Sequence, residues 1–418
     1  MAERTGCVVV GGGPGGVLLA YLLARGGVAV TVLESRGDFD RRFRGDSIAP
    51  AVLDHLHLLG LAEPLLAEIP HARADAFVWN TPDRRYVLAD YRSASRRFPY
   101  YALVPQARFL PWLVERAAAY PGFEVRMGAR VGDLVRDTDG RVVGVEYRTG
   151  TTGHRLHADL VVGADGRSSK VRTLSGLAVT QLSSSIDVCW LEVPRRADDP
   201  DLSGLELITE PGANLAVLGQ GGGWQIGFMI VADTFGEVRA RGAEPLRALL
   251  RRRLPWLGDR VDLLTGVDVL ALLPIRITRT DPWSAPGLLL VGDAAHVISP
   301  VGGNGINFAM VDAAEAANRL VGPLTATPVD PSAVDAATAE VERVRRPKVD
   351  RDQAVQVRVE AATARRLAEA TDPRPVAALR VLSSVPGFAR WSARRAARAL
   401  AIPAPVPQIL DAEGAAVR

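Results

Sequence analysis

The apolar positions of this chain change period several times, and the changes mark its elements. Near the start a continuous apolar run, Cys7-Val8-Val9-Val10, gives way to Gly11-Gly12-Gly13-Pro14-Gly15-Gly16. A helical spacing follows through Val17–Ala24, then a second apolar run, Ala29–Leu33, ends at Glu34. That order predicts strand, tight turn, helix and strand, a βαβ unit. Further on, Leu160–Val162 predicts a strand that breaks at Asp165-Gly166, and Leu288–Val291 one that breaks at Gly292-Asp293. The stretch Ile306–Leu320 predicts one helix with small residues on a packing face. In between, Ile186–Val193 and Trp224–Val231 alternate, which predicts a sheet with one buried face. Gly219–Gly223 reads as a hairpin turn, since no helical pattern follows it. From about residue 347 the pattern is helix-forming, punctuated by Pro373, Pro375 and Pro386, and it ends in a proline-rich segment, Pro403–Pro407.

The first unit carries specific chemistry. Gly11, Gly13 and Gly16 match G-x-G-x-x-G, with an acid about 20 residues on. Gly11 permits a tight turn, Gly13 lets backbone approach a pyrophosphate, and Gly16 lets helix pack close to sheet. The helix N-terminus then offers free N–H groups and a positive dipole end to the anion. Glu34 stands where a carboxylate accepts hydrogen bonds from a ribose diol, which favours FAD or NAD over NADP. Late in the chain, Gly303 and Gly305 around Asn304 free the backbone before the Ile306 helix, so a second helix N-terminus is expected to face the ligand.

Two further segments, Asp159–Arg172 with its Asp165-Gly166 pair and Leu288–His296 with its Gly292-Asp293 pair, resemble the DG and GD motifs of single-component flavoprotein monooxygenases. This is the aromatic hydroxylase family typified by para-hydroxybenzoate hydroxylase. The resemblance runs in order over roughly residues 5–345 and rests on the three motifs together. It implies an α/β fold: a Rossmann-like FAD-binding domain with an inserted β-sheet substrate domain and C-terminal helices. It implies that Asp293 holds the ribityl chain of FAD and that Asp165 serves both FAD and the nicotinamide cofactor. It places Pro300 along the flavin ring and the Gly303, Asn304, Gly305 and Ile306 backbone under its pyrimidine edge. Arg44 in Phe43–Ile48, Gln106 after Val104-Pro105, and Val131 on a strand match single FAD contacts of relatives. Read alone, Asp165-Gly166 is an ordinary turn, Asp293 and Gln106 are helix caps, Arg44 is a surface charge and His296 is a packed residue.

Motif order predicts a discontinuous FAD-binding domain from residues 1–70, 98–175 and 272–345. Residues 71–97 and 176–271 form the substrate domain, and 346–418 a C-terminal helical region. At 418 residues and 48% hydrophobic composition the chain exceeds one ordinary domain. The net charge of +3 indicates no nucleic-acid surface. Two cysteines, Cys7 and Cys189, offer no disulfide framework, so a reducing cytoplasm is expected. Neither a leader pattern nor a membrane-length apolar run is expected, because Gly11 interrupts the early apolar stretch. Arg345–Lys348 and Arg390–Arg398 give basic helical faces, read as solvated or as a peripheral membrane contact.

The resemblance implies a monooxygenase that uses FAD, NAD(P)H and dioxygen and hydroxylates an aromatic or polycyclic small molecule by way of a flavin C4a-hydroperoxide. No nucleophile elbow, H-E-x-x-H or paired C-x-x-C occurs, as expected when the cofactor performs the difficult step. No catalytic residue and no metal site is assigned; Asp187, Tyr101 and His71 are candidate bases by residue type alone. The alternatives are a Baeyer–Villiger or epoxidising variant, and a non-oxygenating flavoprotein that acts as a reductase, a halogenase or a small-molecule binder.

Overall fold

A computed structural model describes residues 3–39, 47–202, 204–219, 222–300, 303–371 and 377–411. Arg44, Val301 and Gly302 lie outside these residues.

The predicted first unit forms as strand Glu3–Val10, helix Pro14–Arg25 and strand Val30–Glu34. The two strands pair in parallel, and Glu3–Val10 also pairs in parallel with Thr152–Gly163, so the first strand is central. Parallel strands need cover on both faces, which is why Cys7, Val8 and Val9 are an unbroken apolar run and fully buried. The eight-stranded sheet continues through Phe123–Met127 on one side and Leu288–Leu290 on the other. An antiparallel pair, Ala129–Arg136 and Val142–Thr149, is added alongside Thr152–Gly163. Helix Pro14–Arg25 packs between Gln106–Ala117 and Gly305–Thr325.

The second large sheet has seven strands, in the order Ala271–Pro274, Ile186–Pro194, Gly223–Val231, Ala213–Gly219, Gly204–Glu210, Ala76–Asn80 and Arg85–Asp90. Ala213–Gly219 and Gly223–Val231 pair antiparallel across the glycine-rich hairpin.

This sheet departs from the expected single buried face. Ile186–Leu191 are buried at every position. Cys189, Leu191, Ile226 and Phe228 pack with Leu249 and Leu250 of helix Glu244–Arg253, while Val188, Trp190 and Met229 pack with Ala364 and Leu367 of the long helix Pro331–Glu369. Alternation in the sequence reports one covered face; the second cover comes from a helix more than a hundred residues away.

That helix also crosses the expected boundary at residue 346. It runs through Pro347, whose missing N–H forgoes one helical hydrogen bond. Arg345 and Val349 on either side are fully buried, so packing holds the helix across the proline.

Candidate active site

A single cavity of about 600 Å³ runs from the glycine-rich turn to the second sheet. Gly11, Gly13, Pro14, Gly15, Gly16 and Glu34 line it at one end, with Gln106, Asp165, Gly292, Asp293, Pro300, Gly303, Gly305 and Ile306 further along. Asn304 and Val131 do not line it. Asn304 accepts a hydrogen bond from the Tyr101 hydroxyl at 3.3 Å, and Val131 is buried on Ala129–Arg136, paired opposite Tyr147. Arg44 falls outside the described residues.

The turn shows why glycine is needed. Gly11 has φ +112°, and a Cβ there would lie 2.4 Å from the Ala164 carbonyl oxygen. The strand end beside Asp165 therefore presses directly on the turn, leaving no room for a side chain. Glu34 is buried; its Oε2 accepts from the Gly12 N–H at 2.8 Å and its Oε1 from the Arg36 N–H at 2.9 Å.

Asp165 is engaged within its own segment. Its carboxylate accepts from the Ser169 hydroxyl at 2.5 Å and from the N–H groups of Lys170 and Val171 at 2.6 and 3.0 Å, which caps helix Lys170–Ser175. Two arginines of this segment reach the later motif. Arg167 Nε donates to Asp293 Oδ2 at 3.4 Å, and Arg172 Nη1 donates to the Ala294 carbonyl at 2.9 Å. Asp293 thus faces the cavity as a partly exposed carboxylate paired with Arg167; it caps no helix. These arginines sit inside the quoted motif, but only tertiary contact distinguishes them from surface charges.

Behind the site lies a buried ionic network that sequence reasoning did not find. Asp312 Oδ2 accepts from His296 Nε2 at 2.7 Å and from the Gly292 N–H at 3.0 Å, and its Oδ1 accepts from Arg345 Nε at 2.7 Å. All three side chains are at most 1% exposed. Burial on its own raises the Asp312 carboxyl, but the charges of His296 and Arg345 outweigh it and bring the pKa down to about 2. The network clamps Gly292, and with it the turn that presents Asp293. The available signal was an acid, Asp312, inside an otherwise small-residue and apolar helical pattern; Arg345 sits among other charged residues and gave none.

The base candidates lie elsewhere. Asp187 is buried and accepts from the Ile275 and Asp233 N–H groups and from Arg276, all at 3.0 Å. His71 Nδ1 contacts the Ile69 carbonyl, and burial pushes the Tyr101 hydroxyl well above its ordinary range. None of the three lines the cavity.

The donor set fits a dinucleotide. Two helix N-termini, at Pro14 and Gly305, open onto one cavity, and no side chain caps either one. Free N–H groups there suit a pyrophosphate and an electron-rich ring edge, while Glu34 and Asp293 supply acceptors for hydroxyl groups.

This arrangement defines an α/β dinucleotide-binding oxidoreductase. The chain belongs to the FAD binding domain family, which matches residues 4–352. It is 33% identical over 358 residues to 6-methylpretetramide 4-monooxygenase of Streptomyces rimosus, covering 85% of this chain and 83% of that protein. It is 28% identical over 324 residues to 3-demethoxyubiquinol 3-hydroxylase of Escherichia coli K12, covering 74% of this chain and 78% of that one. Among solved structures, PqsL from Pseudomonas aeruginosa superposes with a TM-score of 0.72 at 22% identity, over 88% of this chain and 99% of that chain. The chain is an FAD-dependent monooxygenase with NAD(P)H as electron donor. Among the described residues no helix is long and apolar enough to cross a membrane, and no cluster of ligating side chains suits a metal ion.

Proposed function

We propose that the chain hydroxylates an aromatic, polycyclic small molecule held between the glycine-rich end of the cavity and the seven-stranded sheet. The observation that carries this reading is the continuity of one cavity from Gly11 and Asp293 to Trp190 and Met229. The relatives named for 6-methylpretetramide and a ubiquinol favour a ring substrate.

In this reading residues 1–70, 98–175 and 272–345 hold the cofactor, 71–97 and 176–271 hold the substrate, and 346–418 brace both. Bound FAD, reduced by NAD(P)H, supplies the electrons that let dioxygen give one oxygen atom to the substrate and the other to water. The protein positions and dries the site. Glu34 accepts from ribose hydroxyls and Asp293 from the ribityl chain. The Pro14 helix end faces the pyrophosphate, and the Gly305 helix end favours negative charge on the reduced ring. Gln106 and Pro300 flank the cofactor, and the apolar sheet face excludes water from the reacting centre. Cys7 and Cys189, both free and buried, support a place in the reducing cytoplasm.

Purified protein should be yellow and release unmodified FAD on denaturation. Hydroxylated polycyclic arenes should accelerate its NAD(P)H oxidation and gain one oxygen atom by mass spectrometry. Release of FMN, or a folded protein that never takes up flavin, refutes the reading.

A further inference from the structure

At the substrate end of the cavity stands a polar side chain, Gln225, that has no hydrogen-bond partner among the described residues. Gln225 is 5% exposed, lines the cavity, and its amide makes no hydrogen bond within the described chain. The amide therefore opens on the cavity with its donors and acceptor free, which makes it a hydrogen-bonding group for whatever fills that end. Its direction follows from strand alternation. Trp224, Ile226 and Phe228 turn to the helix-covered face of the sheet, while Gln225 shares the cavity face with Gly227 and Met229.

The floor beside it is flat and apolar. Trp190 pairs opposite Gly227, and a Cβ at residue 227 would lie 2.9 Å from Trp190 Cζ3 and 3.0 Å from Cη2. The indole thus lies across the glycine, which broadens one aromatic plate along the sheet. Among the described residues this wall also carries no free cation. Its one ionisable lining residue, Glu206, receives the Asn80 amide at 2.8 Å and pairs with Arg85 at 3.4 Å. A carboxylate substrate would meet no cation among these residues, and burying it would be costly.

We propose that Gln225 is the specificity-determining hydrogen-bonding residue of the substrate site. It would recognise an uncharged, flat, multi-ring phenol whose carbonyl and hydroxyl lie side by side. The amide NH₂ donates to the carbonyl oxygen, which the adjacent phenol meets through its own internal hydrogen bond, while the rings lie on Trp190. This assignment rests on the hydroxylase reading above and refines it.

The test uses FAD-loaded protein, 1,8-dihydroxyanthraquinone as the uncharged probe and 4-hydroxybenzoate as the charged single-ring probe. Binding is followed by the flavin absorbance change, and flavin content is measured separately, so a failure of the FAD reading shows as missing cofactor and not as altered probe binding. Wild type should bind the anthraquinone in preference to the benzoate. Gln225→Leu should weaken anthraquinone binding about five- to tenfold, the worth of one hydrogen bond, with flavin content kept and thermal stability equal or higher. A merely structural Gln225 would lower stability instead. Gly227→Ala, which displaces the indole, should weaken the same probe with the Gln225 amide intact. Unchanged affinity in Gln225→Leu, or wild type that prefers the benzoate or binds neither probe, overturns the proposal.

Discussion

Replacing Asp312 with Ala tests the buried network behind the site. The change removes the shared acceptor of three donors, His296 Nε2, Arg345 Nε and the Gly292 N–H. What remains is the larger problem. Arg345 is completely buried, its Nη1 and Nη2 lack partners among the described residues, and the Phe308 ring lies 5.7 Å from the guanidinium carbon. Removing one partner of such a pair leaves an uncompensated charge and costs on the order of 3–5 kcal/mol. That is a large part of a typical stability of about 5–15 kcal/mol. Urea unfolding of the holoprotein, followed by circular dichroism and flavin fluorescence, measures it. Arg345→Met should cost less, because it removes the charge together with its partners' obligation. The double variant should fall short of the sum of the two singles by at least about 1 kcal/mol. The pH dependence has a definite sign: the folded carboxyl sits at about 2 against an ordinary 3.8, so its stabilisation is complete above 3.8 and is lost as pH falls from 3.8 towards 2. Asp312→Ala should lose this part of the acid slope. A loss below about 1 kcal/mol for Asp312→Ala, or strict additivity with Arg345→Met, refutes the account of the network as one ionic unit.

Asp293→Ala removes a charged acceptor from the cofactor cavity and frees Arg167; FAD affinity should drop by about 1.5–3 kcal/mol, roughly ten- to more than hundredfold, in a fluorescence titration of apoprotein. Wild-type affinity in a folded variant would detach Asp293 from the cofactor. Asp165→Asn keeps one amide oxygen for the helix cap of Lys170–Ser175 but removes the charge beside the cavity. Most of the FAD should stay bound while anaerobic reduction by NAD(P)H slows, and an unchanged stopped-flow rate across a full nucleotide titration would leave Asp165 as a cap alone.

Local pattern by itself determined the first βαβ unit, the helix after Asn304 and the hairpin between Ala213–Gly219 and Gly223–Val231, because each depends on neighbours within a few residues: apolar period, glycine at a turn, an acid at a strand end. The order of the three glycine-containing motifs likewise pointed to one cofactor cavity before any contact was known. Tertiary structure alone decided what distant residues do together. Asp312 and Arg345 are 33 positions apart and read singly as polar residues on helices; only packing excludes water from both and makes their pairing obligatory. The long helix passes Pro347 because Arg345 and Val349 are buried on either side of it, against the local preference to stop. Asp165 and Arg167 looked alike as motif members, yet one caps its own helix and the other crosses to Asp293. Gln225 looks in the sequence like any polar member of an alternating strand. It becomes a binding group only because Pro331–Glu369 and the cofactor cavity close over that face of the sheet and leave its amide facing the cavity without a partner among the described residues.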